Sequence, residues 1–453
     1  MNYPAYPEYK DSGVQWLGKI PQHWGVTALK RHLGRNDSGA WGSDPDGTSD
    51  TLVLRSTDQT VDGHWAISDP AERKLTASEI RSSRLMDADL LVTKSSGSSL
   101  HIGKTTLVDS RIASEGYCYS NFMQRLRTLK SLRARYAWFL MNHRTVREQL
   151  DLNSNTTTGL ANLNATILGQ SVVAIPPIDE QDAIVDFLDR ETAKIDALIG
   201  KQEQLITTLR EDRIATVTHA VTRGLDPNVE TKESGVECLG EIPAGWETSR
   251  LKFVVKSVDS GTSVNAGDWT PADDEIGVLK TSCVSAGRFN AAGSKTVVDP
   301  VEMRRVTCPV RGGSLIVNRA NTPQLVGSTG YVPNDYPNLY LSDKLWQVRF
   351  DSTSAKFVHF WSQTEVYRSQ IAAKCVGASS SMQNLSMGDF RDVAFGLPPV
   401  AEQHHIVEHL DTRSVKLDAL IAKSEQMIGV LREYRSALIT DAVTGKIDIR
   451  GAA

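Results

Sequence analysis

A chain of 453 residues, 40% hydrophobic and 23% charged, has the composition of folded domains rather than of a disordered or fibrous protein, and exceeds a single ordinary core, so two to four domains are expected. No apolar run reaches the roughly 18 residues of a membrane span, and MNYPAYPEYK lacks the basic-then-apolar layout of a secretory signal, which makes the cytoplasm the expected compartment. The net charge of −4 does not by itself mark a nucleic-acid binder, but it is unevenly spread: 20 basic against 17 acidic residues over 1–174, and 6 against 11 over 175–226.

In chain order, the first distinctive stretch is DSGVQWLGKIPQHWGVTALK, from Asp11. A mixed α+β segment follows, with short strands at VLRS, LLVTK and FMQRLR and a helix-like run ARYAWFLMNHRTVREQL. After Pro176 and Pro177 comes a stretch of roughly 40 residues with little Pro or Gly punctuation, which the pattern predicts as one long helix. The opening then returns as ESGVECLGEIPAGWETSRLK, offset by 222 residues. Strands VLKT, SLIVNR and LWQVRF, a helix-like run AKFVHFWSQTEVYRSQIAAK, and a second long helix after Pro398 and Pro399 complete the duplication. The expected organisation is a first domain over 1–174, a long helix over 175–226, a second domain over 227–396 and a second long helix over 397–453. Frameworks match between the copies while the loops differ: SSGSSLHIGKT faces ANTPQLVGSTG, and NSNTTTGLANLN faces VGASSSMQNLS.

Each long helix carries one apolar stripe with heptad spacing. In the first it runs through Ile184, Leu188, Ile195, Leu198, Leu205 and Leu209; in the second through Ile406, Leu410, Leu417, Leu420, Met427 and Leu431, continuing to Tyr434 and Leu438. Such a stripe needs a partner, either its own domain or the duplicate helix. Forty residues at 1.5 Å rise span about 60 Å, longer than a small domain is wide, which favours the duplicate.

Catalytic signatures do not emerge. GSSLHIGKT places five residues between Gly97 and Gly103 where a phosphate cradle requires four, and its counterpart NTPQLVGST has no Lys after the Gly. The loop reads instead as a polar strand connection whose Lys104 meets a phosphate, or as a plain solvated turn. ERK at Glu72 has the look of a nuclease fragment but lacks an upstream strand acid, and His404 and His405 are adjacent, so they point apart on a helix. The five cysteines, Cys118, Cys238, Cys283, Cys308 and Cys375, are widely spaced and never form CxxC, which argues against a disulfide frame or a zinc site. The candidate DNA-contacting set comprises Arg55, Lys94, Ser98, His101, Lys104, Asn155 and Thr157 in the first copy, and Lys280, Arg319, Asn321, Gln324, Ser379 and Gln383 in the second. Arg and Lys bind guanine edges or phosphates, and Asn and Gln pair with adenine. No catalytic or metal-ligating residue is expected.

The paired SGVxxLGxIP openings, the PPxxEQxxIVxxLD helix starts at Pro176 and Pro398, the KxDALIxKxEQ helices, and TTGLANL and SSMQNL together resemble the specificity subunit of a type I restriction-modification system. The likeness extends over nearly the whole chain; Cys238, where the first copy has Trp16, is the main departure. It implies an α+β fold in which two target recognition domains are each followed by a long helix, the helices pairing as an antiparallel coiled coil with pseudo-twofold symmetry. It also implies a non-catalytic reader of double-stranded DNA that serves defence against foreign DNA, one half-site per domain. Expected partners are two methyltransferase subunits and motor-nuclease subunits, with S-adenosylmethionine, ATP and Mg bound by those partners and no cofactor in this chain. The competing reading is a coiled-coil interaction scaffold without DNA readout.

Overall fold

The computed structural model describes residues 3–96, 101–157, 160–379 and 382–451, with backbone alone for 145, 155–157, 160–161 and 376–379. The duplicated sequence folds into two units built from the same parts: residues 1–202 with 426–453, and residues 203–425. Each unit thus contains one α+β domain, part of its own long helix and part of the other.

In the first unit a four-stranded antiparallel sheet runs in the order Leu33–Ser38, Met123–Thr128, Asp89–Thr93, Thr105–Leu107. In the second the corresponding order is Val255–Ser260, Leu345–Phe350, Leu315–Asn318, Thr329–Tyr331. The inner strands Asp89–Thr93 and Leu315–Asn318 are buried at every position, as near-continuous apolar runs require. Each unit has a second sheet whose first strands, Thr51–Leu54 and Gly277–Leu279, fall where VLRS and VLKT lie. The helix-like runs each break in two: Ala134–Asn142 and Arg144–Leu152 around an extended His143, and Ala355–Trp361 and Glu365–Lys374, where the Thr364 side chain caps the new helix by accepting from Tyr367 N–H.

The repeated motifs have a common structural cause. In SGVQWLG and SGVECLG the glycines at both ends, Gly13 with Gly18 and Gly235 with Gly240, have φ between +59° and +73°, a left-handed backbone that favours glycine. The serine hydroxyl accepts from the following valine N–H in both, at 3.1 and 3.2 Å, and the turns close matching hairpins. Downstream, the buried Trp24 and Trp246 donate their indole N–H groups to Glu180 and Glu402 at 3.1 and 3.0 Å. The adjacent glutamines clasp each helix start to its own domain: Gln181 accepts from Arg133 N–H at 2.8 Å and donates to Pro176 O, and Gln403 accepts from Ser354 N–H at 2.9 Å and donates to Pro398 O. The PPxxEQ motif is therefore a joint between helix and domain.

The long helices run Ile178–Arg223 and Val400–Val443. Within each unit they lie side by side and antiparallel. In the first unit Ile184, Leu188 and Ile195 share a core with Leu438, Ala442 and Val443, and Arg435 pairs with Asp196 at 2.9 Å. In the second, Val217, Ala220 and Val221 share a core with Ile406 and Leu410, and Arg213 pairs with Asp418 at 2.6 Å. These ion pairs occupy equivalent repeat positions with the roles of the two helices exchanged.

The stripe read from the sequence is correct along one line and shifted along the other. Ile184, Leu188, Ile195, Ile406, Leu410 and Leu417 are buried, and Leu209 and Leu431 are half-buried. Leu198, Leu205, Leu420 and Met427 are instead 43–49% exposed, and the seam is filled by the next residues, the half-buried Ile199 and Ile421 and the buried Ile206 and Ile428. Each of these places offers two adjacent apolar residues, so a heptad line fits three or four residues beyond the first, and packing selects four.

Candidate nucleic-acid interface

The loops that differ between the copies meet in each unit. Just beyond the inner strand of the main sheet, Ser95–Ser96 joins Leu160–Asn162 and Asn155–Thr157 in a small three-stranded sheet; in the second unit Ala320–Asn321 joins Met382–Asn384 and Val376–Ser379 in the same way. One residue stands at each handover between sheets. Lys94 N–H donates to Phe122 O at 3.0 Å while its carbonyl accepts from Leu163 N–H at 2.7 Å; Arg319 N–H donates to Lys344 O at 3.0 Å while its carbonyl accepts from Leu385 N–H at 2.9 Å. Lys94 and Arg319 are thus structural equivalents, and so are Phe122 and Lys344.

The side chains around these crossings differ in kind. In the first unit an open polar cleft of about 480 Å³ is lined by Asn36, Ser38, Lys94, Phe122, Gln124 and Asn162 among others. The Lys94 ammonium donates to Ser38 Oγ at 2.7 Å, and partial burial holds its pKa below the usual lysine range. Gln124 Nε2 donates to Asn36 Oδ1 at 2.9 Å, and Asn36 Nδ2 donates to Ala165 O at 2.8 Å, so the carboxamide wall is internally braced. Asp37 beside it is neutralised by the buried Arg125 at 2.6 Å; burial, the largest single influence, would raise its pKa, but the hydrogen bonds and charges of Arg125 and Arg35 together outweigh it and hold the carboxyl below the usual carboxylate range. In the second unit Trp346 takes the register position of Gln124 opposite a serine, Ser260 in place of Ser38. The Arg319 guanidinium lies over that indole, 5.8 Å from the ring centroid. Its Nε is buried without a hydrogen-bond partner among the described residues.

Residues 88–208 match the family model described as the type I restriction modification DNA specificity domain. Two curated relatives from Escherichia coli are the type I restriction enzyme EcoEI specificity subunit, 28% identical over 38% of this chain, and the EcoBI specificity subunit, 20% identical over 65%. In these stretches the chain is similar to type I restriction-modification specificity subunits. The matched stretches span 29% and 63% of those two relatives' own lengths. Among solved structures, a chain from a type I R-M system aligns with a TM-score of 0.70, covering 94% of this chain and 99% of that one at 14% identity. The HsdS subunit from Thermoanaerobacter tengcongensis aligns at 0.51, with 94% and 98% covered, also at 14% identity. At that identity the likeness is one of fold.

The candidate contact residues separate into two groups. Lys94, Arg319, Asn321 and Gln383 gather at the crossings and small sheets, with Asn321 directly across from Gln383. Asn155, Thr157 and Ser379 lie in those sheets by backbone, their side chains outside the described residues, as is the whole of Ser98. The others are engaged elsewhere. Arg55 follows the first strand of the second sheet and donates to Asp58 at 3.3–3.4 Å, and to Asp69 O; Lys280, its counterpart, pairs with Asp268 at 3.5 Å. Gln324 is exposed, and its carbonyl accepts from Arg368 at 3.1 Å. His101 is half-buried, its Nδ1 without a hydrogen-bond partner among the described residues.

Lys104 is the clear correction. It is 2% exposed, and its ammonium donates to Ser56 O at 2.5 Å and Gln59 O at 2.8 Å, so it braces the turn after Arg55 rather than reaching a phosphate. Phe122, Gln124, Asn36, Asn162 and Lys344 were not among the sequence candidates. The strands FMQRLR and LWQVRF are legible, but nothing local marks the residue at or before their first position as standing at a crossing between sheets. Among the described residues no group of three or more potential metal ligands occurs, and no helix is long and apolar enough to cross a membrane.

Proposed function

We propose that this chain is the DNA-reading subunit of a type I restriction-modification complex. Each α+β domain reads one half of a bipartite, asymmetric target, and the chain carries no catalytic step itself. The observation that supports this most is the convergence, in both units, of the two loops that differ between the copies, on frameworks held alike by the Trp24–Glu180 and Trp246–Glu402 joints. A constant frame that presents unlike polar surfaces is what two readers of two different sequences require. The side chains at the crossings supply the chemistry: carboxamides that pair with adenine edges, and Lys and Arg that bind guanine edges or phosphates, each good bidentate pair discriminating by about 1–3 kcal/mol.

In this reading two methyltransferase subunits and motor-nuclease subunits dock on the chain and bring S-adenosylmethionine, ATP and Mg. The chain's acidic balance of −4 then fits a division of labour in which partners supply much of the phosphate contact. The test is the methylation pattern of DNA from cells that carry the chain with its partners. The expected pattern is an interrupted motif, two short specific blocks separated by unread base pairs, with no methyl transfer, ATP hydrolysis or cleavage by the chain alone. A single uninterrupted motif, or turnover by the isolated chain, contradicts the proposal.

A further inference from the structure

We infer that Phe122 is a base-contacting, specificity-determining residue of the first half-site, directed at a step that contains an A·T pair. The inference rests on the DNA-reading function proposed above and assigns a chemistry to one position within it.

Phe122 is 52% exposed, although it immediately precedes a strand whose first residues, Met123 and Gln124, are buried. A single exposed aromatic residue carries no message by itself, since apolar atoms make up much of any protein surface. Here three further observations coincide. The backbone of Phe122 is fixed, because its carbonyl accepts from Lys94 N–H at the handover between sheets. Its side chain lines a polar cleft, in company with the carboxamides of Asn36, Gln124 and Asn162 and the partly desolvated ammonium of Lys94. The cleft also lies beside the small sheet where the two variable loops of this unit join.

A phenyl ring on a fixed backbone, beside carboxamides and one cation, has the elements of base recognition. The ring offers a face for stacking or an apolar contact for the thymine methyl, and carboxamides match the adenine edge. An acidic peptide would not call for the carboxamides, and a purely phosphate-binding loop would not call for the ring. At the equivalent place the second unit has exposed Lys344, with Trp346 buried at 3% behind it, so an accessible ring at this crossing belongs to the first copy.

The test uses the full chain assembled with its methyltransferase partners and a pool of 30-base-pair duplexes of random sequence, from which bound DNA is selected and sequenced. The wild-type complex is expected to enrich a bipartite motif. F122A should relax discrimination about 5- to 150-fold at one or two adjacent positions that include an A·T pair, in one half-site only. The other half-site, and the dependence of affinity on salt, should remain as in wild type; F122L, which keeps an apolar contact, should restore part of the preference. If F122A enriches the wild-type motif undiminished, relaxes only G·C positions, or alters capture of the methyltransferase chains without altering the motif, the assignment to Phe122 is wrong. If the wild-type complex enriches no sequence, the DNA-reading proposal itself fails, a result distinct from the others.

Discussion

The two units share a frame and part company at one crossing. Asp37 and Asp259, Ser38 and Ser260, and Leu163 and Leu385 are identical pairs at the offset of 222 residues. Between them Asn36 faces Val258, Phe122 faces Lys344, Gln124 faces Trp346 and Arg125 faces Gln347. The first unit presents amides and an exposed ring, whereas the second presents cations with its ring withdrawn beneath Arg319. Even the buried support differs: Arg125 is held by Asp37 and by the carbonyls of Ser82 and Arg84, while Gln347 is held by Arg311 N–H and Pro309 O. The difference teaches that duplication preserved what positions the loops and released what the loops present.

If that is so, damage to the frame should cost the two units alike. Replacing Trp24 or Trp246 by Ala removes a fully buried indole and takes one hydrogen-bond donor from the Glu180 or Glu402 carboxylate, a loss of about 3–5 kcal/mol in either unit. Urea denaturation followed by circular dichroism, with hydrogen exchange to locate the weakened unit, would measure it. A loss in one unit several times that in the other would break the equivalence.

A smaller effect should also be shared. Burial pushes the pKa of His143 down to about 4, assisted by the charge of Lys446, and that of His359 down to about 4, assisted by Lys356 and Arg213. Both rings are therefore neutral in the folded protein at pH 7. Unfolded, each titrates near 6.5, so between pH 6.5 and 4 the unfolded chain binds more protons and stability falls as pH falls. The loss approaches a value on the order of 2–3 kcal/mol per histidine near pH 4. Denaturation midpoints at pH 7.5 and 4.5 should differ less in H143Q and in H359Q than in the parent; an unchanged pH dependence in either variant would show that its histidine is not the titrating group.

Much of the frame is legible in the sequence because its motifs are local. The Gly13–Gly18 and Gly235–Gly240 turns, the Pro-Pro helix starts and the apolar runs of the inner strands each announce themselves within a few residues. The helix seam is legible only to within one position, because Leu198 with Ile199 and Leu420 with Ile421 give it two apolar choices. The interface is the least legible part. Lys104 reads as a phosphate contact and turns out to be consumed by two backbone carbonyls from residues 56 and 59. Phe122 and Lys344 gain meaning only from long-range pairing, with partners 28 and 25 residues away at Lys94 and Arg319. No local pattern encodes such a pairing.

Exchange of one domain tests the central claim most directly. Residues 31–174 are replaced by the corresponding segment of a type I specificity subunit with a known target, and the methylated sequence is mapped in cells that carry the proposed partner subunits. The account predicts that one half-site changes to that of the donor while the other stays as it was. A change in both half-sites, or in neither, would contradict it.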